Sequence, residues 1–408
     1  MIFNPEYEAA RQLLLDAAEI IDTEKVSLER SFGRVLAQQI VAEDNVPPFD
    51  RSPYDGYALR SEDVASASKE NPVTLRIVEE VAAGAVSTIP CEEGNAVKIL
   101  TGAPIPAGAD CVVMYEKTKF DDSFVTIFSP LKSGENIVRM GDDVRKGTIL
   151  AEVGQKIDTG VAGTLASQGV AEPIVYRRPK VGIISTGNEV TEPGEKLGGG
   201  KIYNSNRFIF ASALDAIGCD SVYLGLSGDR PEDIAALIEK GLESCDAVLS
   251  TGGVSAGDYD FTPAAMEMAG VEILFRGVNI KPGMACACGT KNGKLYLGLS
   301  GNPASALTNF YAVVKPALLK MAGHKEYMPE IFSLKMTEAF GKKNKMTRFL
   351  RGKLVINNGE ASIKLMGDQG NAVISSAIGC DVMAIVPPAF GAIEQGTILE
   401  GFMIWKRH

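Results

Sequence analysis

The chain has 408 residues, 45% of them hydrophobic, with a formal net charge of −10. This length predicts two to four domains with sizeable cores, and the acidic balance argues against general nucleic-acid or anionic-membrane binding. No apolar run reaches the ~18 residues needed to span a bilayer, and an N-terminus carrying Glu6, Glu8 and Asp16 does not read as a signal peptide.

In chain order, residues 5–20 predict an amphipathic helix with Ala9, Leu13, Ala17 and Ile20 near one face. Residues 25–46 read as a short helix and extended chain ending at Pro47-Pro48. The stretch 47–140 is rich in strands and turns, with strands expected at 73–78, 96–100, 111–115 and 124–128. Turn signals at Gly147 and Gly154 precede a helix expected at 159–169. The rhythm changes at Lys180. Strands are expected at 181–185, 221–226, 247–250, 271–275, 284–288 and 294–299, and helices at 205–217, 231–244, 261–269 and 303–321. Pro231 opens the second of these helices, with Ile234, Leu237, Ile238 and Leu242 on one face. Such alternation predicts a mostly parallel sheet covered on both faces. The tail, 330–408, is strand-rich again, with strands expected at 349–356, 362–365 and 382–386.

The stretch from Asp246 to Asp260, D-A-V-L-S-T-G-G-V-S-A-G-D-Y-D, is a buried strand entering a Gly-rich turn. Glycines let the backbone approach a ligand and turn N–H groups toward it. Asp258 and Asp260 would repel a bare anion but suit a divalent cation that bridges to phosphate. Two readings stand at this point: a plain strand-to-helix turn, or a site for a metal-bound phosphorylated ligand. In open α/β sheets, ligands lie beyond the carboxyl ends of strands. Thr186-Gly187-Asn188-Glu189, the 250–260 turn and Ser300-Gly301-Asn302-Pro303 all follow strands, so they are expected to converge there.

Seven cysteines, most in apolar segments, read as reduced core residues of a cytoplasmic protein. Cys286-Ala287-Cys288 lacks a second pair at zinc spacing and reads as core. The two histidines are His324, in a Gly-His-Lys-Glu loop, and His408. That scarcity disfavours a Ser-His-Asp triad and a His-rich metal site. Neither a P-loop nor a strand-coupled G-x-G-x-x-G is present. Chemistry is left to carboxylates, lysines, hydroxyls and backbone dipoles.

Pro48-Phe49-Asp50-Arg51-Ser52-Pro53-Tyr54-Asp55-Gly56-Tyr57-Ala58 resembles the P-x-F-x-x-S-x-M-D-G-Y-A signature of the molybdopterin molybdenumtransferases of the MoeA type, to which the E-domain of gephyrin is related. Leu100-Thr101-Gly102-Ala103-Pro104-Ile105-Pro106 resembles that family's T-G-A-P-x-P loop. Further matches are Ser185–Glu189, Ile202-Tyr203-Asn204-Ser205-Asn206, Thr251–Ser255, Ile280-Lys281-Pro282-Gly283 and Gly301-Asn302-Pro303, in the family's order. The resemblance implies a multidomain α/β subunit that is L-shaped and homodimeric. Its expected parts are an elongated linker domain (1–46 plus 141–178), a β-rich domain (47–140), a molybdopterin-binding α/β domain with a mostly parallel sheet (179–326), and a small C-terminal β domain (327–408). It implies insertion of molybdate into adenylylated molybdopterin with release of AMP, aided by Mg²⁺ or another divalent cation. Transient contact with a molybdopterin adenylyltransferase and with molybdoenzymes is also implied.

The resemblance carries residue roles with it. Asp229, Asp258 and Asp260 are expected to hold the cation, and Asp55, Thr101, Glu189 and Lys281 to be catalytic. Thr186, Gly252, Gly253, Ser255, Asn302, Pro303, Ser375 and Ser376 are expected to bind substrate. Asp55 and Thr101 are implied to face the partner's α/β domain across a dimer cleft; without the resemblance, Asp-Gly and Thr-Gly are turn pairs. Asp143, in Gly141-Asp142-Asp143, resembles an acidic family position. The chain departs from the family pattern at Tyr54 (usually Met), Met284 (often a second Lys), Ser300 (usually Pro) and Ile378-Gly379-Cys380-Asp381. Those departures leave open a tungstate-handling paralogue or a non-catalytic pterin carrier. An adenylyltransferase sharing the α/β domain would not need residues 47–140 or the tail.

Overall fold

The computed structural model describes residues 1–254, 261–342, 345–388 and 391–404. The chain divides into two units, one of residues 1–38, 153–158 and 172–408 and the other of residues 39–152 and 159–171.

In the first unit, uninterrupted apolar strands build a seven-stranded sheet. Its spatial order is Ile2–Phe3, Glu272–Arg276, Cys286–Lys291, Lys294–Leu299, Ala247–Thr251, Lys180–Thr186, Asp220–Ser227. Every pairing is parallel except the two made by Cys286–Lys291. The central strands are buried on both faces, which is why they read as continuous hydrophobic runs. Successive side chains alternate between two cores. Ile183, Leu249 and Leu297 meet Tyr7, Leu14, Phe210 and Phe310 on one face. Ile184, Val248 and Tyr296 meet Ile234, Ile238 and Met266 on the other.

The first helix, Tyr7–Ala17, is phased differently from the expectation. It buries Tyr7, Ala10, Leu14 and Leu15, while Ala9 is exposed and Ile20 is 54% exposed. The Tyr7 ring, packed edge-on against Phe349 at 5.2 Å, sets which face turns inward. The chain leaves helical geometry at Ala18, so Ile20 no longer follows the helical period. The helix expected over 303–321 contains a π-helical turn at Phe310–Val314 between Pro303–Asn309 and Lys315–Met321. Pro316 lacks the N–H that a regular helix would donate there.

The tail strands Thr347–Asn357, Glu360–Leu365, Ile331–Met336, Ile398–Met403 and Val382–Val386 pair in sequence around a ring, because the last also pairs with the first. That closure removes exposed edges around Leu334, Leu350, Ile363 and Val382. Strands 331–336 and 398–403, which pair with each other, lie outside the three segments expected from the tail sequence.

The second unit holds a six-stranded sheet ordered Cys111–Met114, Gly56–Leu59, Asn95–Ile99, Val73–Val81, Phe124–Ile127, Thr118–Phe120. Gly56–Leu59, a strand inside the first family-like motif, is too short to announce itself by alternation and is wholly buried. In this unit Ile40–Val41 also pairs with Ile149–Ala151, and Thr159–Ser167 is a helix. All seven cysteines are free and buried. Among the described residues, no helix is long and apolar enough to cross a membrane.

Candidate functional site

Because Lys180–Thr186, Asp220–Ser227, Ala247–Thr251 and Lys294–Leu299 are parallel, their carboxyl ends share one sheet edge. The turns that follow are tied together there. Thr186 Oγ1 donates to the Thr251 carbonyl at 3.1 Å, and Gly252 N–H donates to Leu299 O at 3.0 Å. Gly187 N–H donates to Ser227 O at 3.1 Å. Gly252 has φ +100°, and a Cβ there would lie 2.5 Å from Thr186 Oγ1. Only glycine fits that close approach. A Cβ on Gly301 would lie 3.5 Å from Gly252 Cα, so the Ser300–Pro303 turn abuts the glycine turn. Thr186, Gly252, Gly253, Asn302 and Pro303 are therefore neighbours. The Thr186 side chain is buried and already engaged.

Asp229 and Glu189 border this edge. Asp229 Oδ2 accepts from Asn188 N–H at 3.3 Å, leaving Oδ1 without a partner among the described residues. Glu189 is exposed beside Gly187. Ser255, Asp258 and Asp260 lie outside the described residues. Among the described residues, no group of three or more His, Cys, Asp and Glu side chains is arranged to hold a metal. Asp229 supplies a hard oxygen donor of the type a divalent cation takes, and the exposed Glu189 carboxylate on the same edge is a second.

A polar cluster at the same end was not foreseen. Glu192 accepts from Tyr223 OH at 2.7 Å and Asn204 Nδ2 at 2.8 Å, and pairs with Arg207 Nη1 at 2.8 Å. Desolvation raises the Glu192 pKa, but these three donors outweigh it and hold the carboxyl below its usual range. Asn204 Oδ1 in turn accepts from Ser185 Oγ at 3.1 Å and caps the helix Ser205–Ala216 through Arg207 N–H at 3.3 Å. Asn206 Nδ2 donates to the Gly301 carbonyl at 2.9 Å. The Y-N-S-N motif signalled the two asparagines; nothing local in Thr191-Glu192-Pro193-Gly194 signalled Glu192.

Lys281 stands apart from the sheet-edge turns in sequence and in pairing. It is exposed, has no ion-pair partner among the described residues, and lies on a two-residue strand paired with Thr347–Arg348 of the tail. Asn309 Nδ2 donates to the Gly283 carbonyl, and Ser305 N–H donates to Asn371 O at 3.2 Å. The helix that starts at Pro303 thus touches both the Lys-Pro-Gly turn and the tail loop. Ser375 is exposed. Ser376 is buried, accepting from Arg351 Nε at 2.8 Å and donating to Val373 O at 2.6 Å. Its hydroxyl is used in both directions to hold a fully buried guanidinium, whose pKa burial pushes down.

In the second unit, strand register builds a separate hollow. Gly56 pairs with both Ile99 and Met114, so residues just before Gly56, just after Ile99 and just after Met114 meet at one edge. Asp55 Oδ1 accepts from Thr101 N–H at 2.7 Å and Thr101 Oγ1 at 2.8 Å. Both bonds, the backbone one first, hold the Asp55 carboxyl below the usual carboxylate range. The hollow, about 450 Å³, is also lined by Pro53, Tyr54, Met114, Glu116 and Lys117. Asp143 is exposed and does not line it.

Residues 5–169 match the family described as the MoeA N-terminal region (domain I and II), residues 182–320 a probable molybdopterin binding domain, and residues 333–400 the MoeA C-terminal region (domain IV). A molybdopterin molybdenumtransferase of Bacillus subtilis (strain 168) is 37% identical over 94% of this chain and 90% of its own length. One of Staphylococcus epidermidis is 34% identical over 96% and 94%. The crystal structure of a molybdopterin biosynthesis moeA protein from Pyrococcus horikoshii OT3 superimposes with a TM-score of 0.84 at 32% identity, covering 98% of this chain and all of that one. With sheet-edge turns, Asp55–Thr101 pair and tail domain all inside regions that match, the chain belongs to the molybdopterin molybdenumtransferase family.

Proposed function

We propose that the protein inserts molybdate into adenylylated molybdopterin, releasing AMP and forming molybdenum cofactor. The observation that carries this reading is the junction of Thr186, Gly252–Gly253 and Gly301–Pro303 at the carboxyl edge of a parallel sheet, a place suited to a phosphorylated ligand. Asp229, with Asp258 and Asp260, would hold Mg²⁺ or another divalent cation, which supplies charge neutralisation for phosphate oxygens. Lys281, exposed and without an ion-pair partner among the described residues of an acidic chain, supplies a local positive charge for an oxyanion. Asp55 and Thr101 form a second polar centre in the other unit. In this reading the protein works in the cytoplasm as a homodimer, one protomer's Asp55 hollow serving the partner's sheet-edge site. The substrate arrives from a molybdopterin adenylyltransferase, and the product leaves to molybdoenzymes.

The test is AMP release from adenylylated molybdopterin with molybdate and, separately, tungstate. Release that depends on either oxyanion supports the reading and identifies the metal handled. Binding without release would leave a pterin carrier instead. Mixing Asp55→Ala with Asp260→Ala chains should regain activity through one intact cleft per mixed dimer; no gain over either parent removes the shared cleft.

A further inference from the structure

The hollow in the second unit holds a set of groups that the overall reaction does not by itself explain. Tyr54, where the family signature usually has Met, is 44% exposed on its wall. Its backbone is pinned by buried Ser52, whose Oγ donates to Tyr54 O at 2.6 Å and accepts from Tyr54 N–H at 3.2 Å. The ring is therefore offered from a fixed backbone. Beside it stand Asp55 and Glu116, with Lys117 the only cation lining the hollow among the described residues. Two carboxylates against one ammonium make a poor phosphate site by simple Coulomb reasoning. They make a good site for a neutral group rich in N–H donors, and an aromatic wall adds a stacking surface for a flat ring.

The direction of the hydrogen bonds narrows the ligand further. Asp55 Oδ1 is occupied by both Thr101 donors, so Oδ2 remains as a fixed acceptor. Glu116 is exposed and has no hydrogen-bond partner among the described residues. A 2-amino-4-oxopteridine presents two adjacent donors, the 2-amino group and N3–H, on one edge. Adenine presents a donor beside the N1 lone pair, which a carboxylate repels.

We propose that this hollow is the pterin-head subsite, with Tyr54 stacked on the ring and the free Asp55 oxygen, assisted by Glu116, accepting from the 2-amino edge. The assignment rests on the proposed reaction, and it places the pterin head, rather than the adenine or the phosphates, against Asp55.

The test uses the full chain and two fluorescent probes, pterin and lumazine, the latter carrying a 2-oxo group in place of the 2-amino group. Wild type should bind pterin about tenfold tighter than lumazine, since the 2-oxo group sets an acceptor against the Asp55 carboxylate where the 2-amino group would donate. Tyr54→Ala should weaken pterin about tenfold and Tyr54→Phe should not, as expected for loss of stacking. In Asp55→Asn, Thr101 keeps the amide oxygen on its own side and turns Nδ2 toward the ligand, so the preference should reverse to lumazine. AMP should not displace pterin. Equal affinity for the two probes, indifference to Tyr54→Ala, displacement by AMP, or no pterin binding by wild type would each overturn the subsite. AMP release from adenylylated molybdopterin, measured on the same wild-type preparation, tells that failure apart from failure of the reaction itself.

Discussion

Gly252→Ala probes the sheet-edge site most directly, because the structure specifies what the added methyl meets. Gly252 has φ +100°, outside the region a side chain adopts freely, so the backbone strain alone costs about 1–3 kcal/mol. The new Cβ would sit 2.5 Å from Thr186 Oγ1 and 2.8 Å from the Thr186 carbonyl oxygen. Thr186 Oγ1 escapes only by giving up its bond to Thr251 O, worth about 1 kcal/mol. The carbonyl belongs to the strand Lys180–Thr186, which is paired on both sides, and cannot move without it. If the turn stayed in place, the total would be about 2–4 kcal/mol of stability. The cheaper escape is for the turn itself to swing outward, since it lies at the end of its strand. The expected result is therefore a loss of AMP release exceeding about a hundredfold, equivalent to ~2.7 kcal/mol, with a smaller loss of stability by urea denaturation. Adding Thr186→Ala removes the nearer clash but leaves the carbonyl, so the double variant should regain stability only in part. A Gly252→Ala protein with wild-type turnover and stability within about 0.5 kcal/mol would refute the argument that this turn needs glycine.

Asp246, at the opposite ends of the same strands, should separate fold from site. It takes a two-pronged contact from Arg177 at 2.7 and 2.9 Å and the Lys180 N–H at 2.7 Å, so Asp246→Asn should cost about 2–3 kcal/mol of stability while leaving turnover intact. Its folded pKa is depressed because those partners outweigh desolvation. The stabilisation is therefore full above the unfolded value of about 3.9 and fades as pH falls through the lower folded value; a wild-type advantage that grew toward acid pH would contradict this. Lys281→Ala should weaken phosphorylated pterin or oxyanion binding by roughly ten- to a hundredfold, with Lys281→Arg only a partial rescue; unchanged titrations of both ligands would deny it a binding role. The cysteines should be inert, since burial pushes Cys91 and Cys380 up to about 11 and Cys111 up to about 12. Iodoacetamide should label none in the native protein and seven after denaturation; rapid native labelling would show a site open to solvent.

Much of this was legible in one dimension. The strands around Ile183, Leu249 and Leu297 announce themselves because a strand buried on both faces must be apolar along its length, whatever covers it. Glycines at positive φ, such as Gly252, and the proline opening Pro231–Ser244 are equally local demands of the backbone, so the turns and helix starts could be placed from sequence. What the sequence could not decide was which surfaces meet. The phase of Tyr7–Ala17 depends on Phe349, far along the chain, and two tail strands became strands by pairing with each other. Ser376 carries the composition of a ligand contact, yet its hydroxyl is taken up by Arg351. Glu192 sits in an unremarked loop, yet it joins Asn204, Arg207 and Tyr223. Tyr54 and Glu116 share a hollow only because Gly56 pairs with Met114. Backbone conformation and burial are properties of a segment, which its own residues can encode. The partner of a polar side chain is set by strand order and register, which depend on the whole chain at once.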